Sequence, residues 1–176
     1  DSAERVVVSF KDDATAFYNI KRAKIENKGK MNCTISSKIL AFLNANGVDT
    51  HFVEQLDETS QICKVVEHMP FEVIVRNVIA GSMAKRLGID EGVVPENTIF
   101  DLCLKDEELG DPLINDHHAV ALGVATYEEL VKIYEISARV NKLLTELYAS
   151  VGIRLVDFKI EFGRAADGAL VLADEL

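Results

Sequence analysis

The run Val156-Asp157-Phe158-Lys159-Ile160-Glu161-Phe162 alternates apolar and charged side chains without a break. Alternate residues of a strand share a face, so Val156, Phe158, Ile160 and Phe162 must meet a core while Asp157, Lys159 and Glu161 point away from it. A chain with this run must build a sheet that is buried on one side and charged on the other. The reading sets the two carboxylates one strand repeat apart, about 6–7 Å, with Lys159 between them. Mg²⁺ is typically held by one or two carboxylates plus substrate phosphates, and such a face suits a metal-bound nucleotide. A solvated polar face, with Lys159 offsetting its neighbours, satisfies the same alternation and is the more common outcome of periodicity alone.

Around this run the chain mixes hairpins with helices. Arg5 to Phe10 is β-branched and short, a strand ended by Lys11-Asp12-Asp13. Residues 19–30 read as a mobile basic loop closing on Lys28-Gly29-Lys30. From Met31 to Asn46, Ile35, Ile39, Phe42 and Leu43 recur at helical spacing, and Gly47 suits the stop. Residues 51–56 and 62–66 flank Asp57-Glu58-Thr59-Ser60 as a hairpin. His68-Met69-Pro70 reads as a hinge between a lobe of residues 1–68 and a lobe of residues 69–176. Residues 71–78 form a strand, Ala80-Gly81-Ser82 opens a short helix ending at Gly88, and residues 99–104 form another strand. Thr126 and Glu129 make a capping box for a long helix that turns Leu130, Ile133, Val140, Leu143, Leu144 and Leu147 inward and stops at Gly152. Residues 154–162 and 169–173 form a final hairpin. This order of elements predicts an α+β fold.

A second signal lies in Arg76-Asn77-Val78-Ile79-Ala80-Gly81-Ser82, where a strand runs into a helix with Lys85 and Arg86 behind it. Free N–H groups, a Ser hydroxyl and a bidentate Arg76 together suit a phosphate. A plain N-cap with solvated basic residues fits equally well. Lys105 and Asp111 flank an acidic loop, where Asp before Pro112 usually only starts a turn. His117 and His118 are adjacent and read as loop residues, while His51 and His68 read as packing. The formal charge of −10 argues against nucleic acid or an anionic membrane as partner. No apolar run reaches the ~18 residues of a membrane span, and the opening residues are not a signal peptide. Cys33, Cys63 and Cys103 have no metal spacing and read as reduced, mostly buried thiols of a cytoplasmic protein.

The strings FEVIVRNVIAGSMAKRLGIDEG (71–92), LKDEELGDPLIND (104–116) and LVDFKIEFGR (155–164) resemble the signature regions of the SAICAR synthetase family, with FKDDATAF (10–17) and NKGKMN (27–32) as weaker matches. The resemblance implies a two-lobed fold, distantly like ATP-grasp enzymes and protein kinases, with a nucleotide cleft between an ATP-side lobe and a lobe bearing substrate and metal. It implies an ATP-dependent ligase of purine biosynthesis that forms an amide between L-aspartate and carboxyaminoimidazole ribonucleotide (CAIR), with ATP and Mg²⁺. Carried over by position, Asp157, Glu161 and Asp174 would surround the metal and ATP phosphates, with Lys159 between them as a catalytic lysine. Arg76 and Ser82 would hold the ribonucleotide, Asp111 and Lys105 would line the cleft, and Glu72 and His68 would lie near adenine, with Lys105 also on the ATP side. Family members commonly self-associate, so a homo-oligomer is expected. The family's lysine-bearing first strand-turn and its segment after the Asp174 motif lie outside residues 1–176, so a fragment of a longer protein is expected.

Overall fold

A computed structural model gives the fold and describes residues 4–16 and 21–175. The chain divides into two compact units, one of Asp1–His68 with Gly163–Glu175 and the other of Met69–Phe162.

In the first unit, β1 (Arg5–Ser9), β4 (Phe52–Gln55) and β5 (Ser60–Lys64) form an antiparallel sheet in the order β1-β5-β4, and β2 (Asp13–Ala16) pairs with β3 (Lys21–Lys24). The expected basic loop is therefore ordered where it is described: Lys21–Lys24 is a strand, and Lys28 already starts α1 (Lys28–Ala45). Residues 19 and 20 of that expected loop lie outside the described residues. The first turn of α1 has no side-chain cap of its own, and Asp12 Oδ1 accepts from Gly29 N at 2.9 Å instead. Gly29 is required there, because a Cβ would lie 2.7 Å from the Phe10 carbonyl oxygen.

The buried stripe of α1 runs through Cys33, Ser36, Ser37, Ile39, Leu40 and Leu43. Ile35, expected inward, is 50% exposed. Apolar spacing misplaced the stripe because two serines belong to it. Buried Gln61 donates to Ser37 Oγ at 3.0 Å and to the Cys33 carbonyl at 3.3 Å, so a polar pair fills that helix face. Gly47 does end the helix, at φ 75°.

Strand β6 (Val66–Arg76) runs unbroken through His68-Met69-Pro70, so the division of the two units at His68/Met69, where a hinge was expected, falls inside a continuous strand. Pro70 sits just before the register with β7 (Ile99–Leu104) begins at Phe71↔Leu104, and its carbonyl still accepts from Lys105 N at 3.0 Å. β9 (Asp157–Ala165) and β10 (Leu170–Glu175) complete the strands, with the small β8 (Leu113–Ile114) beside β7. Residues 163–175, expected with the second lobe, group with the first unit. The cause is β10, where Leu172 accepts from His51 N at 2.8 Å and donates to the Asp49 carbonyl at 3.0 Å.

The second unit orders its strands β9-β6-β7-β8. Its helices are α2 (Gly81–Leu87), α3 (Asp116–Ala121) and α4 (Tyr127–Ala149). α3 corrects the reading of His117 and His118 as loop. Asn115 caps it reciprocally with His118, accepting from His118 N at 2.9 Å and donating to Nδ1 at 3.3 Å. The Thr126–Glu129 capping box of α4 is present, and Leu130, Ile133, Val140 and Leu144 are buried, with Leu143 and Leu147 only partly so. α4 is tied to the sheet by the Phe100–Tyr134 ring contact and by a reciprocal amide pair in which Asn77 and Asn141 donate to each other at 2.7 and 2.8 Å. All three cysteines are free and buried.

Two outcomes follow from the first unit. A Cβ on Gly163 would lie 2.6 Å from Val66 Cγ2 and 2.8 Å from its Cβ. Gly163→Ala should therefore lower stability by about 1–3 kcal/mol, read from a denaturant midpoint. An unchanged midpoint would show that Val66 yields freely. Burial first, then the charges of His68 and Lys64, push the His51 imidazole down from 6.5 to about 4. The unfolded chain therefore takes up this proton first as pH falls. The stability His51 contributes is present above about pH 6.5 and is lost as pH falls through about 4. Thermal melts of wild type and His51→Gln across that window should converge on acidification; parallel curves would refute the role.

Candidate functional site

Residues directly opposite in antiparallel strands share a face. The register Glu72↔Cys103, Ile74↔Asp101 and Arg76↔Ile99 therefore puts Glu72, Ile74 and Arg76 of β6 on one side with Ile99, Asp101 and Cys103 of β7. Asp157, Lys159 and Glu161 of β9 join them through their ion pairs, while Phe158, Ile160 and Phe162 are buried on the reverse. The buried/charged division read from the alternation is present.

Arg76 dominates one end of this face. Its side chain is only 6% exposed. Nε donates to Asp101 Oδ2 at 3.0 Å, Nη1 to Asp157 Oδ2 at 3.1 Å, and Nη2 to Ser82 Oγ at 3.4 Å. Arg86, in the last turn of α2, donates to both oxygens of the same Asp101 carboxylate at 3.3 and 3.2 Å. Next to Arg76, the N–H groups of Asn77 and Val78 both donate to the Val156 carbonyl, at 2.8 and 3.2 Å, which fixes where β9 begins.

Two lysine pairs occupy the other end. Lys105 Nζ lies 2.5 Å from Glu161 Oε1, and Lys159 Nζ lies 3.0 Å from Glu72 Oε2. Lys159 thus turns sideways to β6 and does not bridge the two carboxylates that flank it in sequence. Cys103 sits among these charges. Burial raises its thiol pKa, and the carboxylates of Glu72, Asp101 and Asp111 push the same way, so it is held as an unreactive thiol.

Other expected residues are placed differently. Asp111 (φ 48°) knits its own loop: its Oδ1 accepts from Asp106 N at 3.0 Å, and its N donates to the Asp106 carbonyl at 2.9 Å. The Gly81 N–H at the start of α2 donates to Glu91 Oε1 at 2.8 Å, so this end of the short helix already has an anion of the protein's own. His68 is an exposed residue of β6, and Asp174 an exposed residue of β10, both in the first unit.

The carboxylate spacing also needs correcting. Asp157 and Glu161 are four residues apart on one strand, two repeats, which is about 13 Å and too far to share one ion. Among the described residues, no group of three His, Cys, Asp or Glu side chains could hold a metal. A single carboxylate such as Glu161 could hold magnesium only together with phosphate oxygens of a bound substrate. Sequence reasoning missed Asp101 and Glu91, and took Arg86 only as a basic residue behind the helix. An Asp inside the apolar strand Ile99–Leu104, and Arg86 four residues after Ser82 on a helix, were the available signals.

The family model described as SAICAR synthetase matches residues 1–176, and the chain belongs to that family. It is an enzyme family of ligases, whose members catalyse ATP-dependent ligation of aspartate to CAIR. The chain is 56% identical to a phosphoribosylaminoimidazole-succinocarboxamide synthase of Clostridium perfringens over 176 residues, all of this chain and 74% of the relative. The synthase of Ehrlichia chaffeensis, a crystal structure, superposes with a TM-score of 0.95 at 39% identity, covering 99% of this chain and 75% of that one. A SAICAR synthetase solved in complex with ADP gives a TM-score of 0.95 at 41% identity, covering 100% and 75%.

Removing the buried cation should be far more damaging than removing an exposed one. Arg76→Leu leaves Asp101 and Asp157 without their shared partner and should cost about 3 kcal/mol in urea unfolding. Lys159→Ala breaks a pair whose ammonium is 45% exposed and should cost less than about 1 kcal/mol. The reverse order of midpoints would show that Arg76 does not organise the face.

Proposed function

We propose that this chain joins the amine of L-aspartate to the carboxylate of CAIR, with cleavage of ATP to ADP and phosphate. The observation that carries this reading is the charged face of β6, β7 and β9, which offers cations to anionic groups at both ends, in a chain matched to the ligase family along its whole length.

A carboxylate resists attack by an amine because its carbonyl is deactivated and it has no good leaving group. Phosphorylation removes both obstacles. A CAIR carboxylate oxygen attacks the γ-phosphorus, the bond to the β–γ bridging oxygen breaks, and ADP departs. The aspartate nitrogen then attacks the acyl carbon, the carbon–oxygen bond to phosphate breaks, and the nitrogen gives up its proton as the amide forms. This chain's part is positioning and charge stabilisation. Arg76 and Ser82 hold the ribonucleotide phosphate, with Asp157 yielding its place on Arg76. Lys159, kept in orientation by Glu72, stabilises charge on the reacting carboxylate, and Lys105 does so for the nucleotide phosphates. Glu161 is the carboxylate that would hold Mg²⁺ together with those phosphates. Bound there, the ion would supply charge neutralisation for the γ-phosphoryl group. His68 is assigned to the nucleotide base. The buried free cysteines suit a reducing compartment, so a cytoplasmic location is part of the proposal.

The test is direct. The protein is incubated with ATP, Mg²⁺, L-aspartate and CAIR, and both the succinocarboxamide product and ADP are followed. Product should form, and ADP release should depend on aspartate. Aspartate-independent ADP release would point instead to a small-molecule kinase. Glu161→Gln should lower kcat by roughly 100-fold while leaving the melting profile intact. Near-normal turnover in that variant would sink the assignment of Glu161.

A further inference from the structure

Asp101 belongs to none of the motifs that led to the site, yet it makes more contacts with the cations of the face than any other carboxylate there. It accepts from Arg76 Nε at 3.0 Å and from Arg86 Nη2 at 3.3 and 3.2 Å, through both of its oxygens. It rises from β7 opposite Ile74, one strand across from Arg76, whereas Arg86 comes from the last turn of α2. One carboxylate therefore draws together two guanidinium groups from separate elements. We propose that Asp101 is a positioning residue that holds Arg76 and Arg86 as a two-arginine clamp for the phosphate of the ribonucleotide substrate. This role rests on the functional reading given above.

The geometry distinguishes Asp101 from the other carboxylate on Arg76. Asp101 takes the Nε side of the guanidinium, which fixes its plane and turns both Nη groups toward Ser82 and Asp157. Guanidinium groups bind phosphate best through paired, pre-oriented N–H donors, so the Nη groups are the ones to keep available. The Asp101 side chain is 14% exposed and that of Asp157 38%. An incoming phosphate can thus replace Asp157, the more accessible partner, while Asp101 stays in place. Two arginines, Asp101 and Asp157 make a neutral group. Once Asp157 is displaced, Asp101 leaves one net positive charge among the three groups that remain, facing the anion. Ser82 adds a hydroxyl donor at the same point. Arg86, at 36% side-chain exposure, is accessible to the ligand and would otherwise be free to swing into solvent.

The experiment is steady-state kinetics of Asp101→Asn and Asp101→Ala with each substrate varied in turn, together with inhibition by inorganic phosphate as a probe of the clamp. Asp101→Asn keeps the shape and one acceptor, so it decides the matter if the alanine variant does not fold. The expected result is a KM for CAIR raised roughly 10- to 100-fold, the loss of one charge-assisted hydrogen-bonded partner. KM for aspartate and for ATP should stay within about twofold, kcat should change little, and the inhibition constant for phosphate should rise in parallel. Arg86→Ala should raise KM for CAIR in the same direction, and adding it to Asp101→Ala should cost less than the sum of the two, because Asp101 acts partly through Arg86. A folded Asp101→Asn enzyme with unchanged KM for CAIR, or with all three KM values raised equally, overturns the role while leaving the ligase reading intact. Failure of the wild type to form the amide overturns the functional reading, and this role with it.

Discussion

The second unit depends on neutralising one buried cation. A guanidinium shielded as fully as that of Arg76 is tolerated only if its N–H groups meet acceptors and its charge meets carboxylates. The acceptors come from β7, β9 and α2, so satisfying Arg76 fixes the relative placement of three elements. The neighbouring residue makes the placement repeatable. Asn77 holds the Val156 carbonyl with its backbone N–H and holds Asn141 of α4 with its side chain, so Asp157 enters β9 at the height of Arg76. Packing of the reverse face by Phe158, Ile160 and Phe162 then carries the same register to Lys159 and Glu161.

Because each cation on this face already has a carboxylate, the binding proposed there would be an exchange. Arg76 takes Asp101 and Asp157, Arg86 takes the same Asp101, Lys105 takes Glu161, and Lys159 takes Glu72. An anionic ligand would replace an internal anion, and the protein holds no uncompensated charge on this face in its absence. Replacement is easiest where the internal anion is most exposed, and that is Asp157. This also reconciles an overall charge of −10 with a family whose substrates are anions. The field that matters is set locally by which partner each arginine and lysine keeps.

Alternation along β9, the capping box at Thr126 and the glycine stop at Gly47 were legible because each depends on residues close in sequence. The candidate site was half legible for the same reason. Arg76, Ser82, Lys159 and Glu161 fall in motifs, while Asp101 acquires meaning only through a cross-strand register that local pattern does not encode, and Arg86 only through its contact with Asp101. The inward face of α1 was misplaced because two serines belong to it, Ser37 being held by Gln61, 24 residues further along the chain. Pro70 read as a break because proline usually ends pairing. Here it lies inside β6 and only its carbonyl is used, accepting from Lys105 N.

The two-repeat separation of Asp157 and Glu161 changes what the charged strand can be for. Two carboxylates within one repeat would make a single metal cage, whereas about 13 Å of strand gives two stations. One is the arginine station around Arg76, with planar donors suited to a terminal phosphate. The other is the lysine station around Lys105 and Lys159, with compact mobile charges beside Glu161, suited to a phosphoryl group in transfer. A ligase that must grip a ribonucleotide by its phosphate while activating its carboxylate needs both stations, held rigidly apart. A β-strand, with its fixed rise per residue and its buried reverse face, sets that distance with little freedom to change it.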